Sequence, residues 1–421
     1  MDVCLLTSIL SRVITNVNDI TTMRLVNKFF NRVVSNQVCW QHFRPITIRC
    51  DIDSIVANID NTYWYHGLIH IRTGLSRLNK VIELSTHGQR GGQKYSGQSY
   101  SGQTYGQKQG QTYSGKKFVV NLSETGIVDV SRLGNIHSLN LSHNEVSDVS
   151  SLGNIHTLIL RNTTVTDVSA LTNVHTLDLR HTNVVDVSAL TNVRILDLRC
   201  TKVADVSALG NVHTLDLGGT DVIDVSALTH VHTLNLSYTK VSDVSALTHV
   251  HTLNLSHTEV VDVSALTHVH TLNLGETAVS DVSMLGHVHT LNLEDTLVTD
   301  VSALTHVHTL NLRSTRVSDV SALTHVHTLN LSNTRVVDVS TLSHVHTLDL
   351  SFTGVVDVSA LTHVHSLNLY CTQVVDVSIT SLSHIHNINL GATKVSDSSA
   401  LAKLYTLDTG GTPYTDIISV S

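Results

Sequence analysis

From about Lys117 to the C-terminal end, apolar positions recur with a period of nineteen residues. One circuit, Val269 to His287, reads "VHTLNLGETAVSDVSMLGH", and its apolar positions Val269, Leu272, Leu274, Val279, Val282 and Leu285 return in nearly every circuit. "TLNLG" alternates polar and apolar residues, which predicts a strand with Leu272 and Leu274 inward and Thr271, Asn273 and Gly275 outward. An aspartate marks the period at Asp129, Asp148 and every nineteenth residue to Asp376. Asp397 follows after 21 residues and Asp416 after 19 more, so sixteen turns are expected. Such self-similarity makes a solenoid, because no circuit buries its own apolar face and stacking makes the core continuous. Equivalent strands side by side form a parallel sheet on the concave face, and sixteen of them about 4.8 Å apart predict an arc roughly 75 Å long.

A different period governs residues 1 to about 45. Leu5/Leu6, Ile9/Leu10 and Val13/Ile14 recur every four residues and predict one apolar helical stripe. Asn18 or Asp19 caps a second helix, along which Ile20, Met23, Val26, Phe29/Phe30 and Val33/Val34 share a face. A third short segment carries Cys39, Trp40 and Phe43 before Pro45. A piece of about 40 residues is near the lower size limit for independent stability, so a partner is expected. Residues 46–86 connect this piece to a tract, 87–117, of Gly, Gln and Ser with spaced Tyr. That tract buries too little apolar surface to offset chain entropy and is expected to be a disordered linker or loop. "KVIELSTH" (Lys80–His87) echoes "HTLNLSHT", which places a first, capping repeat strand ahead of the tract.

Within the array, stacked carboxylates repel, so the aspartate of "DVS" needs a local partner. An Asx turn onto the N–H groups of the following Val and Ser supplies one. In the last circuit, "LYTLDTGGTPYTD", Thr409 replaces a core Leu and Pro413 enters, the polar end that an open solenoid requires.

The pattern LxxLxLxxTxVxDVSxL is similar to the leucine-rich repeat, in the short form where "NxIxDIxxL" follows the strand. The resemblance implies a parallel sheet with a second, irregular side. At nineteen residues the period lies below the usual 20–29, so the convex side is expected to be a tight turn or a single 3₁₀ turn. Where that family has Asn, only Asn144 keeps it; Thr125, Thr163, Thr182 and their successors form a threonine ladder, with fewer hydrogen-bond partners than an amide has. The N-terminal words "ILSRV", "DITTMRLVNKFFNRVVSN" and "CWQHF" resemble the F-box, with "VCLL" in place of its opening Leu-Pro. That resemblance implies an α-helical domain docking on a Skp1-type adaptor of a cullin–RING ubiquitin ligase through Ile9, Leu10, Val13, Leu25, Val26, Phe29, Phe30 and Trp40. The combination also looks like the F-box and leucine-rich-repeat proteins of large DNA viruses of amoebae, which implies action in the host cytoplasm.

Charge narrows the partners. Residues 1–50 hold six Lys/Arg and two acidic residues, whereas the rest of the chain holds 20 basic and 32 acidic ones. An acidic array is a poor nucleic-acid binder. Five cysteines (Cys4, Cys39, Cys50, Cys200 and Cys371) show no paired spacing, and no apolar run reaches membrane-spanning length. With no basic leader and no cleavage site at its start, a monomeric, cytoplasmic chain is the expectation.

Thirteen of the 29 histidines follow the core Val or Ile, from His137 to His386, and nine precede it, from His230 to His384. Imidazoles at i and i+2, repeated in the next turn, suit a metal. Yet Asn135, Asn154, Asn173, Asn192 and Asn211 replace the earlier His in five circuits, and nothing completes or orients a ligand shell. A structural corner, with no metal or cofactor, is expected. No nucleophile with a placed base and no phosphate loop is present, so no catalytic residue is assigned. Variation concentrates on two positions after the strand and one after Thr. The residues expected to bind a protein target there are Arg161, Arg180, Arg199, Tyr238, Arg313, Arg316, Phe352 and Tyr370, the first three as a basic patch in adjacent turns.

Overall fold

The computed structural model describes residues 68–72, 117–375, 385–395 and 406–408. The F-box-like segment, with its eight expected adaptor contacts, and the segment Lys80–His87 lie outside the described residues. Strands β1 (Leu68–Arg72), β2 (Lys117–Asn121), β3 (Ser138–Asn140), β4 (Thr157–Ile159) and β5 (Thr176–Asp178) belong to one compact unit that ends at Val193. A second unit, from Arg194, carries β6 (Ile195–Asp197) to β17 (Thr406–Asp408), one strand per circuit. Together the described residues hold about fourteen of the turns read from the aspartates.

Pairing is parallel and in strict register within each unit, so Leu158 lies beside Leu177 and Leu272 beside Leu291. The partner of β2 on its N-terminal side is β1, Leu68 to Arg72, rather than the expected Lys80–His87. "LIHIR" matches the five-residue length of "KFVVN", and length decides how many ladder bonds a strand offers.

Each circuit contributes the six expected core positions. Val269, Leu272, Leu274, Val279, Val282 and Leu285 are all at most 3% exposed. Burying one such side chain contributes roughly 1.5–3 kcal/mol, and stacking turns makes the contribution continuous. Strands β3 to β17 are three residues long, and an Asx turn follows each of β3 to β16 except β4, where Ile159 stands: in β10, Asn273 Oδ1 accepts the N–H of Gly275 at 3.0 Å. Gly275, expected outward, is therefore buried, since the chain has already turned inward beside Asn273.

The far side is built of two successive turns, as the short period requires. The N–H of Leu285 donates to the carbonyl of Val282, and that of Val288 to Leu285, each at 3.0 Å. Among the described residues one such turn, Ser207–Leu209, is a 3₁₀ helix. The aspartate works as expected with one of its two anticipated partners. Asp281 Oδ1 accepts the N–H of Ser283 at 2.9 Å, and the equivalent bond recurs from Asp129 to Asp357.

The threonine ladder also behaves as its chemistry dictates. Thr277 Oγ1 donates to the carbonyl of Leu274 at 2.7 Å, inside its own turn. Asn144 does more. Its Nδ2 donates to the carbonyls of Leu122 and Leu141 at 2.9 Å, and its Oδ1 accepts the N–H groups of Thr125, Gly126 and Ile127 from the turn before. Asn144→Thr should cost about 2 kcal/mol, because buried donors lose their acceptor. Amide exchange at Gly126 and Ile127 checks this, and unchanged protection would count against the bridging role.

Candidate interaction surface

The residue three positions after the strand adopts a left-handed conformation in turn after turn. Glu124, His143, Asn162, His181, Cys200, Tyr238, His257, Glu276, Asp295, Ser314, Asn333, Phe352, Cys371 and Ala392 have φ between 52° and 59°, and only Gly219 is a glycine. An L-residue there costs roughly 1–2 kcal/mol. The ladder enforces the conformation, since the N–H of the residue donates to a carbonyl of the next turn, as Tyr238 does to Ser256 at 3.0 Å. Among the described residues of this row only Gly219, Asn162 and Asn333, with Asp295 and three His, are of types common at positive φ. It is nonetheless the row in which the side chains at the edge are displayed.

Of the expected target contacts, Tyr238, Phe352 and Tyr370 are exposed at this edge. Tyr238 stacks on His257 with centroids 4.1 Å apart, and Phe352 meets Tyr370 edge-on at 5.3 Å. Arg316 is exposed, and it forms no ion pair among the described residues. Arg313 reaches Glu294 at 3.2 Å.

The expected basic patch is largely neutralised. Arg180 holds Asp178 of its own strand at 2.6 Å, half buried. Arg199, in the other unit, spans two carboxylates, Asp197 at 2.7 Å and Asp216 at 3.2 Å, and burial still pushes the Asp216 carboxyl up. Arg161 lacks such a partner because Ile159 occupies the strand position; it reaches His143 Nε2 at 3.1 Å, with its Nε buried and unbonded. Spacing alone put these arginines together, and the strand-face aspartates two residues earlier take up their charge.

Two further surfaces accompany the edge. A groove of about 770 Å³ runs over the strand face between Thr271 and Asn389, lined by the Thr and Asn rows. The position before each Asp forms an exposed row that includes Val337, Val356 and Val375 in successive turns.

The histidines after the core Val make a ladder. In the second unit His213, His232, His251, His270, His289, His308, His327, His346, His365 and His386 stack in succession, with centroids 3.9–5.2 Å apart. Their backbone is pinned, since the carbonyl of His270 accepts the N–H groups of both His289 and Thr290. Face-to-face rings send their lone pairs out side by side rather than toward one point. Among the described residues no three His, Cys, Asp or Glu side chains could hold a metal ion.

No family model and no curated protein matches the chain. Solved structures do. An internalin, inlF, of Listeria monocytogenes is 25% identical with a TM-score of 0.55, over 63% of this chain and 90% of that one. The functional domain of InlJ from the same organism is 20% identical with a TM-score of 0.56, over 68% and 70%. A leucine-rich-repeat protein of Leptospira interrogans is 18% identical with a TM-score of 0.58, over 69% and 89%. The fold is thus similar to leucine-rich-repeat solenoids, as the repeat pattern implies.

Ser314→Gly should stabilise the chain by about 0.5–1 kcal/mol, because it relieves the left-handed strain at a smaller entropic cost; a lower Tm would refute the strain argument. Loss of water between stacked rings, with repulsion from neighbouring rings, holds His232, His270, His308 and His346 below the ordinary imidazole value of 6.5. The unfolded chain therefore binds more protons, so this contribution is complete above about pH 6.5 and is lost as pH falls below it. Tm should be lower at pH 5.5 than at pH 7.5, and a ladder with His270 and His308 both replaced by Asn should show a smaller drop. Bonds from the following Ser hold the "DVS" carboxyls low, as at Asp281, so their contribution is lost only below about pH 4.

Proposed function

We propose that the chain is a non-catalytic protein-recognition scaffold that serves as a substrate receptor of a ubiquitin ligase. In this reading residues 1–45 dock on a Skp1-type adaptor through Ile9, Leu10, Val13, Leu25, Val26, Phe29, Phe30 and Trp40. The solenoid holds a target protein through Arg161, Arg180, Arg199, Tyr238, Arg313, Arg316, Phe352 and Tyr370, and presents it for transfer. One observation carries the recognition half: core, turn and ladder positions repeat, whereas side-chain identity varies at the exposed edge. Large side chains sit there in a conformation that glycine would adopt at lower cost, which is the kind of strain that persists where a surface is used. Tyr, Phe and Arg are also the residue types that anchor protein interfaces. The adaptor half is supported by the F-box resemblance of the N-terminal words.

A second reading keeps the same edge and drops the ubiquitin role; the likeness to bacterial leucine-rich-repeat structures favours it. Co-purification of the full chain with a Skp1-type adaptor separates the two. Capture that is lost in a Phe29→Ala, Trp40→Ala variant supports the receptor, and absence of capture by the wild-type chain leaves the scaffold. For the solenoid, Tyr238→Ala with Phe352→Ala should weaken a captured target by at least about tenfold, the scale of two interface anchors. Undiminished capture would move the binding site off this edge.

A further inference from the structure

Between Tyr238 and Tyr370 the edge of the second unit carries an ordered sequence of chemistries. Tyr238 and His257 form an aromatic pair. Acidic residues follow in Glu259, Glu276, Glu294 and Asp295, then basic ones in Arg313, Arg316 and Arg335, and Phe352 with Tyr370 closes the row as a second aromatic pair. Part of this charge is taken up within the chain, in Arg313–Glu294 at 3.2 Å, and Glu276 lies 3.1 Å from the His257 ring nitrogen. Glu259, Asp295, Arg316 and Arg335 are exposed and form no ion pair among the described residues.

The order is antisymmetric about a point between the turns of Asp295 and Ser314. On one side lie acid and then aromatic residues; on the other lie base and then aromatic residues. A twofold axis through that point turns the row end for end and lays it on itself, so opposite charges meet and aromatic pairs meet. Turns then match as 295 with 314, 276 with 333, 257 with 352 and 238 with 371. Glu294 and Asp295 come opposite the turn of Arg313 and Arg316, and Glu276 opposite the turn of Arg335. His257 and Tyr238 come opposite Phe352 and the Tyr370–Cys371 corner. A parallel alignment places acid on acid and base on base, so the same charges that favour one arrangement reject the other. Two charges lie outside the pattern: Lys240 falls opposite the neutral Gln373, and Glu259 opposite Gly354, so neither meets a like charge.

We infer that this edge binds a second copy of the chain, antiparallel and related by a twofold axis between the turns of Asp295 and Ser314. The inference rests on the reading of the edge as a protein-recognition surface and names one partner for it, in place of the monomer expected from the sequence. The eight turns involved span about 34 Å at the strand spacing, long enough for several contacts to act together. Such a dimer covers Tyr238, Arg316 and Phe352, so self-association and target binding compete.

Sedimentation of the full-length chain tests this. The expected result is a weight-average mass that rises with concentration toward twice 45.8 kDa at low salt. The association constant should fall at least about tenfold in about 0.5 M salt, where exposed charges are screened. Arg316→Glu with Arg335→Glu should give a monomer, and so should Glu276→Arg with Asp295→Arg. An equimolar mixture of the two variants should restore the dimer, because each then offers one sign to the other's opposite sign. A wild-type chain that stays monomeric, or charge variants that dimerise as well as wild type, overturns the inference. If the monomeric wild type still captures a target that Arg316→Glu, Arg335→Glu loses, the recognition reading stands while the dimer falls.

Discussion

The described turns depend on one constraint: each is held to the next by parallel backbone hydrogen bonds in strict register, with a step of nineteen residues in nearly every turn. In such a stack each residue's nearest neighbour in the next turn occupies the same place in the circuit. Apolar residues benefit at once, since Leu stacks on Leu and Val on Val without gaps. Polar and ionisable residues face their own kind, and most are stabilised from within their own turn, while a few, such as Asn144 and Asn292, bond to the turn before.

The ladders differ in how they meet that condition. The aspartates of "DVS" stack like charges, and each is stabilised by the N–H of the serine two residues on. The threonines donate to a carbonyl three residues back. The histidines stack as rings, with Thr beside several of them as a hydroxyl partner, as at His232 and Thr233. Asn144 reaches into the preceding turn, which no Thr hydroxyl of the ladder does among the described residues. The repeat is therefore a set of local solutions that tolerate being multiplied.

Positions outside these ladders are free to differ, and the fold gathers them at one edge. There the backbone is forced left-handed by the inter-turn bonds, while the side chains have no packing duty. Strain at this row is sustained by bonds on both sides of it, so Tyr, Phe and Cys occupy a conformation that isolated chains avoid. Stability is supplied by the periodic positions and recognition by the aperiodic ones.

Period, core and turn chemistry were legible in the sequence because each is a local rule repeated many times. Val269, Leu272, Leu274, Val279, Val282 and Leu285 fall inside as their spacing requires, and the Asp of each "DVS" closes its turn. The candidate site was legible only as a set of variable positions. Three things required the folded stack. The strand ends one residue earlier than alternation suggests, and the Asx turn at Asn273 turns the chain inward so that Gly275 is buried. The arginines at 180 and 199 lose their free charge to aspartates that alternation places on the same strand face, a pairing set by side-chain reach rather than by spacing. The left-handed row has only a partial residue signature, since its conformation is imposed by hydrogen bonds to the next turn. Sequence by itself determined what repeats; tertiary structure decided which non-repeating side chains stand free, because exposure depends on neighbours nineteen residues away and charge balance on which side chains the strand face brings within reach.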